Sequence, residues 1–401
     1  MAFPRITSKS VRAGVPASHR SRVTRPGWRP AAVTGTVALG LMVGALTLHG
    51  AEAPLSVLRA QSAKSASQPQ PRPATPVKAA PGKAPSTNNP ATQGTGPRAG
   101  SAATPATSTG RRTPNEMGRF PIVEWHQVVD ADGTYKVSRQ RFKAELEELH
   151  RRDYVPVNLS EILDKTFSIP AGKTPVLFTF DDASPSQFRY IERNGQLVVD
   201  PTSAVGILLD FIKAHPDWKP KGLFCMLPAA AAGHAFFGEK GIDGQKSEWR
   251  FKKLQFLVEQ GFELCNHTLW HAQLNKYSDA VVQEQFARGA LAIDSAVPGY
   301  QVRGMALPYG VWPKNRALTL AGSWYDPKSK RTVTYKHEAV FQVAGGPARS
   351  PYDPAFNPAS LPRVPLQGGT KLTPTLDMLD KPGPGTRFVS DGNPKTIAKP
   401  Q

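Results

Sequence analysis

Residues Thr174 to Asp182 read TPVLFTFDD, an apolar run of β-forming residues that ends on two adjacent carboxylates. Val176, Leu177, Phe178 and Phe180 call for a buried strand. No turn residue separates them from Asp181 and Asp182, so the acids sit at the strand's end. Strand ends are where α/β sheets and barrels collect binding and catalytic groups. Successive side chains of an extended chain point to opposite sides, so the two acids can do different work. Taken alone, the run also reads as a strand followed by an Asp-rich turn.

The chain around this run alternates between strand and helix patterns. PIVEW, from Pro121, reads as a strand, and Ser138 is placed to cap a helix with Phe142, Leu146 and Leu149 on one face. YVPV gives a short strand ahead of the central one. Helical spacing of Val205, Leu208, Leu209 and Ile212 follows, then the strand GLFCML, then a helix carrying Phe251, Leu254 and Leu257 that stops at Gly261. FELC, a helix opened by Ser278, GMAL, a helix expected to start at Pro313, and the strand AVFQV complete the series. Such alternation predicts a parallel sheet with helices outside it, open or closed into a barrel.

Composition confines that fold to the later part of the chain. The first 115 of 401 residues carry 15 Lys and Arg against one acid, Glu52, and so hold +14 of the net charge of +19. The basic pI belongs mainly to this stretch and does not mark a nucleic-acid surface. Residues 1–30 are basic, and residues 31–50 hold an apolar run near the minimum length for a membrane-spanning helix. A basic flank on that side predicts a cytoplasmic N-terminus. Ala51-Glu52-Ala53 resembles a signal-peptidase site, but Pro54 after it should hinder cleavage, which favours an uncleaved anchor over a removed signal. Residues 51–115, rich in Pro, Ala, Ser and Thr, lack the apolar surface to fold and predict a disordered tether. Residues 116–366 are expected to form the catalytic domain and 367–401 a C-terminal tail. Cys225 and Cys265 lie in apolar strand patterns and read first as buried thiols, with a single bridge as the alternative.

Chemistry-bearing residues follow two further strands. His267 and His271 in CNHTLWH stand four apart after FELC, a spacing that lets two imidazoles share a metal ion. A carboxylate from Asp181 or Asp182 would complete a two-His-one-acid site with open positions. The third feature is ALPYGVWP, where Pro308-Tyr309-Gly310 makes a tight bend at a strand end.

TFDD, HTLWH and LPYG, in that order, resemble the motifs of the polysaccharide deacetylase family, carbohydrate esterase family four. PIVEWHQV is similar to the way those domains begin, and SLPRV to the way one branch ends. The resemblance covers about residues 120–365. It implies a distorted (β/α) barrel with fewer than eight strands and a divalent metal, usually zinc, with cobalt or nickel as substitutes. It also implies removal of N-acetyl, or in some members O-acetyl, groups from an amino sugar polymer. Carried over by position, Asp182, His267 and His271 hold the metal and Asp181 is the general base. Pro308 and Tyr309 face substrate, the Tyr309 amide stabilising the oxyanion, while Thr179 and Thr268 orient ligands.

Two positions depart from the family pattern. An Arg that pairs with the base is replaced by Ala306, leaving Arg303 or Arg363 to substitute. A late Leu-x-His acid has no match, and His337, the only His after His271, reads as an exposed strand residue. His126 reads as a pocket wall, and Trp270 and Trp312 as sugar platforms or packing. The resulting expectation is an envelope-anchored, metal-dependent deacetylase acting on a polysaccharide outside the cytoplasmic membrane. The alternative is a polysaccharide-binding or wall-tethering protein on the same barrel without catalysis.

Overall fold

The computed structural model describes residues 112–229, 236–238, 241–383 and 386–399. The expected basic N-terminus, anchor or signal segment, and nearly all of the expected tether lie outside the described residues. Among the described residues no helix is long and apolar enough to cross a membrane.

Eight parallel strands build the core: β1 (Ile122–Trp125), β2 (Tyr154–Pro156), β3 (Thr174–Phe180), β4 (Leu223–Met226), β5 (Glu263–Asn266), β6 (Gly304–Ala306), β7 (Ala339–Gly345) and β8 (Leu361–Pro365). Seven of them close a ring in the order β1, β8, β7, β6, β5, β4, β3 and back to β1. The short β2 pairs only with the first half of β3, outside the ring. The expectation of a barrel with fewer than eight strands is therefore met.

All seven residues of β3 are buried, because a barrel strand meets side chains within and helices without. Phe178 and Phe180 turn outward onto Trp125 of β1, which meets Phe142 of helix α1 (Arg139–Arg151). The Trp125 indole N–H donates to Glu145 of that helix at 3.0 Å. Losing this fully buried ring would cost about 3–5 kcal/mol. Alternation then turns Glu124, His126, Thr179 and Asp181 toward the barrel interior.

Helix α2 (Leu159–Asp164), which the sequence pattern does not announce, joins β2 to β3, while α3 (Ala204–Ala214), α4 (Arg250–Gln260) and α5 (Asp279–Ala296) fill expected crossovers. One expected helix is absent: after Pro313 there is only a 3-10 turn, Arg316–Thr319, and then an antiparallel hairpin, Ala321–Asp326 with Arg331–Lys336. Pro at a first helical position permits a helix without supplying one, and the β-branched and aromatic residues of RTVTYK favour a strand.

Cys225 and Cys265 are not free thiols. They stand opposite each other on β4 and β5 and form a disulfide. The chain after Leu366 forms helix α6 (Thr373–Leu379) and then packs on the barrel. Phe388 and Val389 are buried there, their amides bonded to the carbonyls of Arg119 and Asn115.

Candidate active site

A parallel barrel brings all its strand C-termini to one rim, and there the motif residues meet. Asp181 and Asp182 follow β3, His267 follows β5, and Pro308 and Tyr309 follow β6. Asp181, Asp182, His267 and Tyr309 line a cavity of about 280 Å³ together with Glu124, His126 and His271, and Pro308 is buried without lining it. Asp182, Thr268, His271 and Tyr309 all have left-handed backbones, with φ of 76°, 69°, 62° and 58°. Non-glycine residues pay for that conformation, and such strain gathers where side chains must be aimed.

Asp182, His267 and His271 converge. Asp182 Oδ1 lies 3.3 Å from His267 Nε2 and 3.5 Å from His271 Nε2. His267 Nδ1 donates to the Ala306 carbonyl at 2.9 Å, which leaves Nε2 as a bare lone pair facing the carboxylate. Asp182 Oδ1 and His267 Nε2 are buried with no hydrogen-bond partner among the described residues. Two acceptors held this close repel each other unless something positive lies between them, and an Asp, His, His donor set suits a divalent cation. Where no cation is bound, a proton can take that place: burial opposes both charges, yet Asp181 and Asp182 raise the His267 pKa, and the His267 imidazolium with the other imidazoles holds the Asp182 pKa to about 2. Burial and the neighbouring His267 lower His271 to about 4, keeping it a neutral ligand.

The loop between the histidines is braced from below. Thr268 Oγ1 accepts the His271 amide at 3.0 Å, and the Thr268 amide donates to Asn266 Oδ1 at 2.9 Å. Asn266 Nδ2 donates to the Phe286 carbonyl of α5 at 2.8 Å, a close approach that Gly289 permits: a Cβ there would come 2.3 Å from Asn266 Oδ1. His337 Nε2 lies 3.2 Å from Asn266 Nδ2, and its Nδ1 bonds the Thr319 carbonyl. His337 is thus buried behind the loop, not exposed as its strand position suggested, and it does not line the cavity. A turn of chain at Thr319, invisible in the sequence pattern, covers it.

Arg363 of β8 points into the barrel and forks onto Asp181, Nη1 to Oδ1 at 2.8 Å and Nη2 to Oδ2 at 2.7 Å. Burial works against a charge on Asp181, but Arg363 outweighs it and drives its pKa well below the usual carboxylate range. The other candidate partner, Arg303, does not reach Asp181. It precedes β6 at the opposite end of the barrel, where Asp164 and Glu338 hold it at 2.7 and 2.8 Å. Tyr309 is 59% exposed at the cavity mouth with its ring 4.3 Å from that of His271. Trp270 is partly exposed, and Trp312 packs in a separate apolar cluster beneath Arg316.

Sequence reading passed over Tyr135, Val343 and Gln367 of the cavity lining and two residues that organise the site, Gln187 and Glu124. Gln187 donates to the carbonyls of both His126 and Asp181, tying the ends of β1 and β3. Glu124 lies wholly buried within 3.1 Å of Arg363. A charged residue inside the apolar strand IVEW, two positions before His126, was the available signal for it.

The sequence profile described as polysaccharide deacetylase matches residues 224–323. A chitooligosaccharide deacetylase of Bradyrhizobium sp. (strain ANU 289) is 35% identical over 65 residues, 16% of this chain and 30% of that protein. Another, from Sinorhizobium fredii (strain NBRC 101917 / NGR234), is 31% identical over 82 residues, 20% of this chain and 38% of that one. The chain thus spans well under half the length of the curated relatives it matches. Among solved structures, Streptococcus pyogenes deacetylase PplD in complex with acetate aligns with a TM-score of 0.46 at 16% identity, over 67% of this chain and 100% of that one. The Bacillus cereus polysaccharide deacetylase BC0361 aligns with a TM-score of 0.44 at 17% identity, over 64% and 67%.

Proposed function

We propose, from the premise that this chain carries a polysaccharide deacetylase domain, that it hydrolyses N-acetyl groups on an amino sugar polymer of the cell envelope. The observation that carries this reading is the pairing of two differently committed acids at one strand end. Asp182 faces two imidazole lone pairs, while Asp181 is held ionised by Arg363.

Asp182, His267 and His271 would hold a divalent cation, zinc or in its place cobalt or nickel. Bound there, such a cation acts as a Lewis acid and makes water more acidic. Asp181 takes the proton from the attacking water, and Arg363 keeps it unprotonated until then. The Tyr309 amide is assigned the developing oxyanion, and the exposed Tyr309 ring one wall of the sugar site. O-acetyl groups would meet the same machinery. Contact between Arg363 and Asp181 favours this catalytic reading over a binding-only protein, because it supplies the guanidinium missing at Ala306.

In the full-length protein, Asp181→Asn should abolish acetate release from N-acetylglucosamine oligomers or peptidoglycan while bound metal is retained. Acetate release by that variant at the wild-type rate would sink the assignment. On sequence grounds we also place the domain outside the cytoplasmic membrane, tethered through residues 31–50. Recovery of the full-length chain solely in the soluble cytoplasmic fraction would refute that placement.

A further inference from the structure

The cavity holds one carboxyl group that the metal ligands and the base do not account for. Glu124 of β1 is in register with Thr179 of β3 and Pro365 of β8, so it stands between the strands that carry Asp181 and Arg363. One guanidinium serves both acids. Arg363 Nη2 lies 2.7 Å from Asp181 Oδ2 and 3.1 Å from Glu124 Oε1, while Nη1 goes to Asp181 Oδ1 and to Thr179. Glu124 Oε2 is buried without a hydrogen-bond partner among the described residues, and Glu124 lines the cavity.

Two buried carboxylates share one guanidinium, which forks fully onto Asp181, so an ionised Glu124 would be a buried charge with only one long contact to a cation, at a cost of several kcal/mol. Retaining one proton on the pair removes that cost, and the bidentate fork fixes which acid is ionised. Burial raises the Glu124 pKa and Asp181 adds to the rise, with Arg363 opposing. The remaining charged groups facing Glu124 are His126, with Nε2 3.7 Å from Oε1, and His267 across the cavity. Ligand atoms of Glu124, His126 and Asp181 lie within 4.8 Å of one another, but a second metal ion there would have to displace the guanidinium.

We propose that Glu124 is the proton donor to the departing amine, acting beside Asp181 across the shared guanidinium. The assignment rests on the deacetylase reading above and fills the acid role for which the sequence has no Leu-x-His. An amide nitrogen cannot leave as an anion, so it needs a proton as the C–N bond breaks. Asp181 accepts one proton from the attacking water, whose oxygen bonds to the acetyl carbon. Glu124 gives its proton to the nitrogen, and the C–N electron pair stays there. Acetic acid and the free amine result. Asp181 is left protonated and Glu124 ionised, and one proton passing between these neighbouring carboxyls restores the start.

The test compares two substrates on the full-length, zinc-loaded protein. A chitooligosaccharide needs a protonated leaving group; 4-nitrophenyl acetate, which releases a phenolate, does not. Glu124→Gln should lower amide hydrolysis by about 100-fold or more while ester hydrolysis is retained. Glu124→Asp, which keeps an acid, should recover part of the amide activity, and the alkaline limb of the amide pH profile should vanish in Glu124→Gln. Undiminished amide hydrolysis in Glu124→Gln overturns the assignment. So does a parallel loss of both activities that Glu124→Asp does not relieve. A wild-type protein that cleaves the ester but no N-acetyl sugar would instead overturn the deacetylase reading, and this inference with it.

Discussion

Arg363 presents both arms of its guanidinium to the two oxygens of Asp181, at 2.8 and 2.7 Å, with both side chains closed to solvent. A lysine keeps the charge but cannot make the fork. Arg363→Lys should lose one charge-assisted hydrogen bond, worth about 1.5–3 kcal/mol, and with it about 10- to 100-fold in deacetylation rate. Burial would then push the Asp181 pKa back up, so the base would be protonated at higher pH. The pH-rate profile should show its acid limb moved upward. An unmoved limb would mean that Arg363 does not set the ionisation of Asp181.

The paired acids and the two histidines were legible because local spacing on single strand ends carries them. The partner of Asp181 was not, since it lies 182 residues away in sequence and only ring closure through β8, β1 and β3 brings it inward. Position alone left Arg303 equally eligible; its place before β6 sends it to the other end of the barrel. The Cys225–Cys265 bridge depends likewise on β4 and β5 being parallel neighbours in register, which two isolated strand patterns cannot state. Glu124 was hidden because a lone acid in a strand usually marks a solvent face, and here that face is the interior of the barrel.

His337 offers a pH test of the brace behind the metal loop. Burial strips hydration from its charged form, against the opposing bond to the Thr319 carbonyl, and lowers its pKa to about 4 from an ordinary 6.5. Between those values the unfolded chain binds a proton that the native protein does not. Native stability from this group is therefore complete above about pH 6.5 and is lost as pH falls toward 4, by up to roughly 3 kcal/mol. His337→Gln cannot titrate. Denaturation midpoints measured at both ends of the window should converge in that variant relative to wild type. An equal acid loss in both proteins would remove His337 as the cause.

The disulfide ties β4 to β5 two residues before His267 and closes a sequence separation of 40 residues. Chain-entropy arguments assign such a loop about 3–4 kcal/mol. Reductant should lower the unfolding free energy of the wild-type protein by that amount, read as a fall in its denaturation midpoint, and leave a Cys225→Ala, Cys265→Ala variant unmoved. A wild-type midpoint indifferent to reductant, under conditions where the thiols are shown to be free, would refute the contribution.

Metal removal separates the two aspartates without recourse to activity. A cation bound only by the native state stabilises it by about 2.7 kcal/mol at a hundred times its dissociation constant. Asp182 Oδ1 and His267 Nε2, buried without partners among the described residues, are the atoms such a cation would satisfy. Zinc should therefore raise the melting temperature of the chelator-treated wild type, and of Asp181→Asn, whose altered carboxyl faces Arg363. His267→Ala should show little of that rise, and Asp182→Asn should show less than wild type because it loses the anionic ligand. Calorimetry with and without zinc reads all four proteins. A full zinc-dependent rise in His267→Ala would place the cation elsewhere and dissolve the division of labour between Asp181 and Asp182.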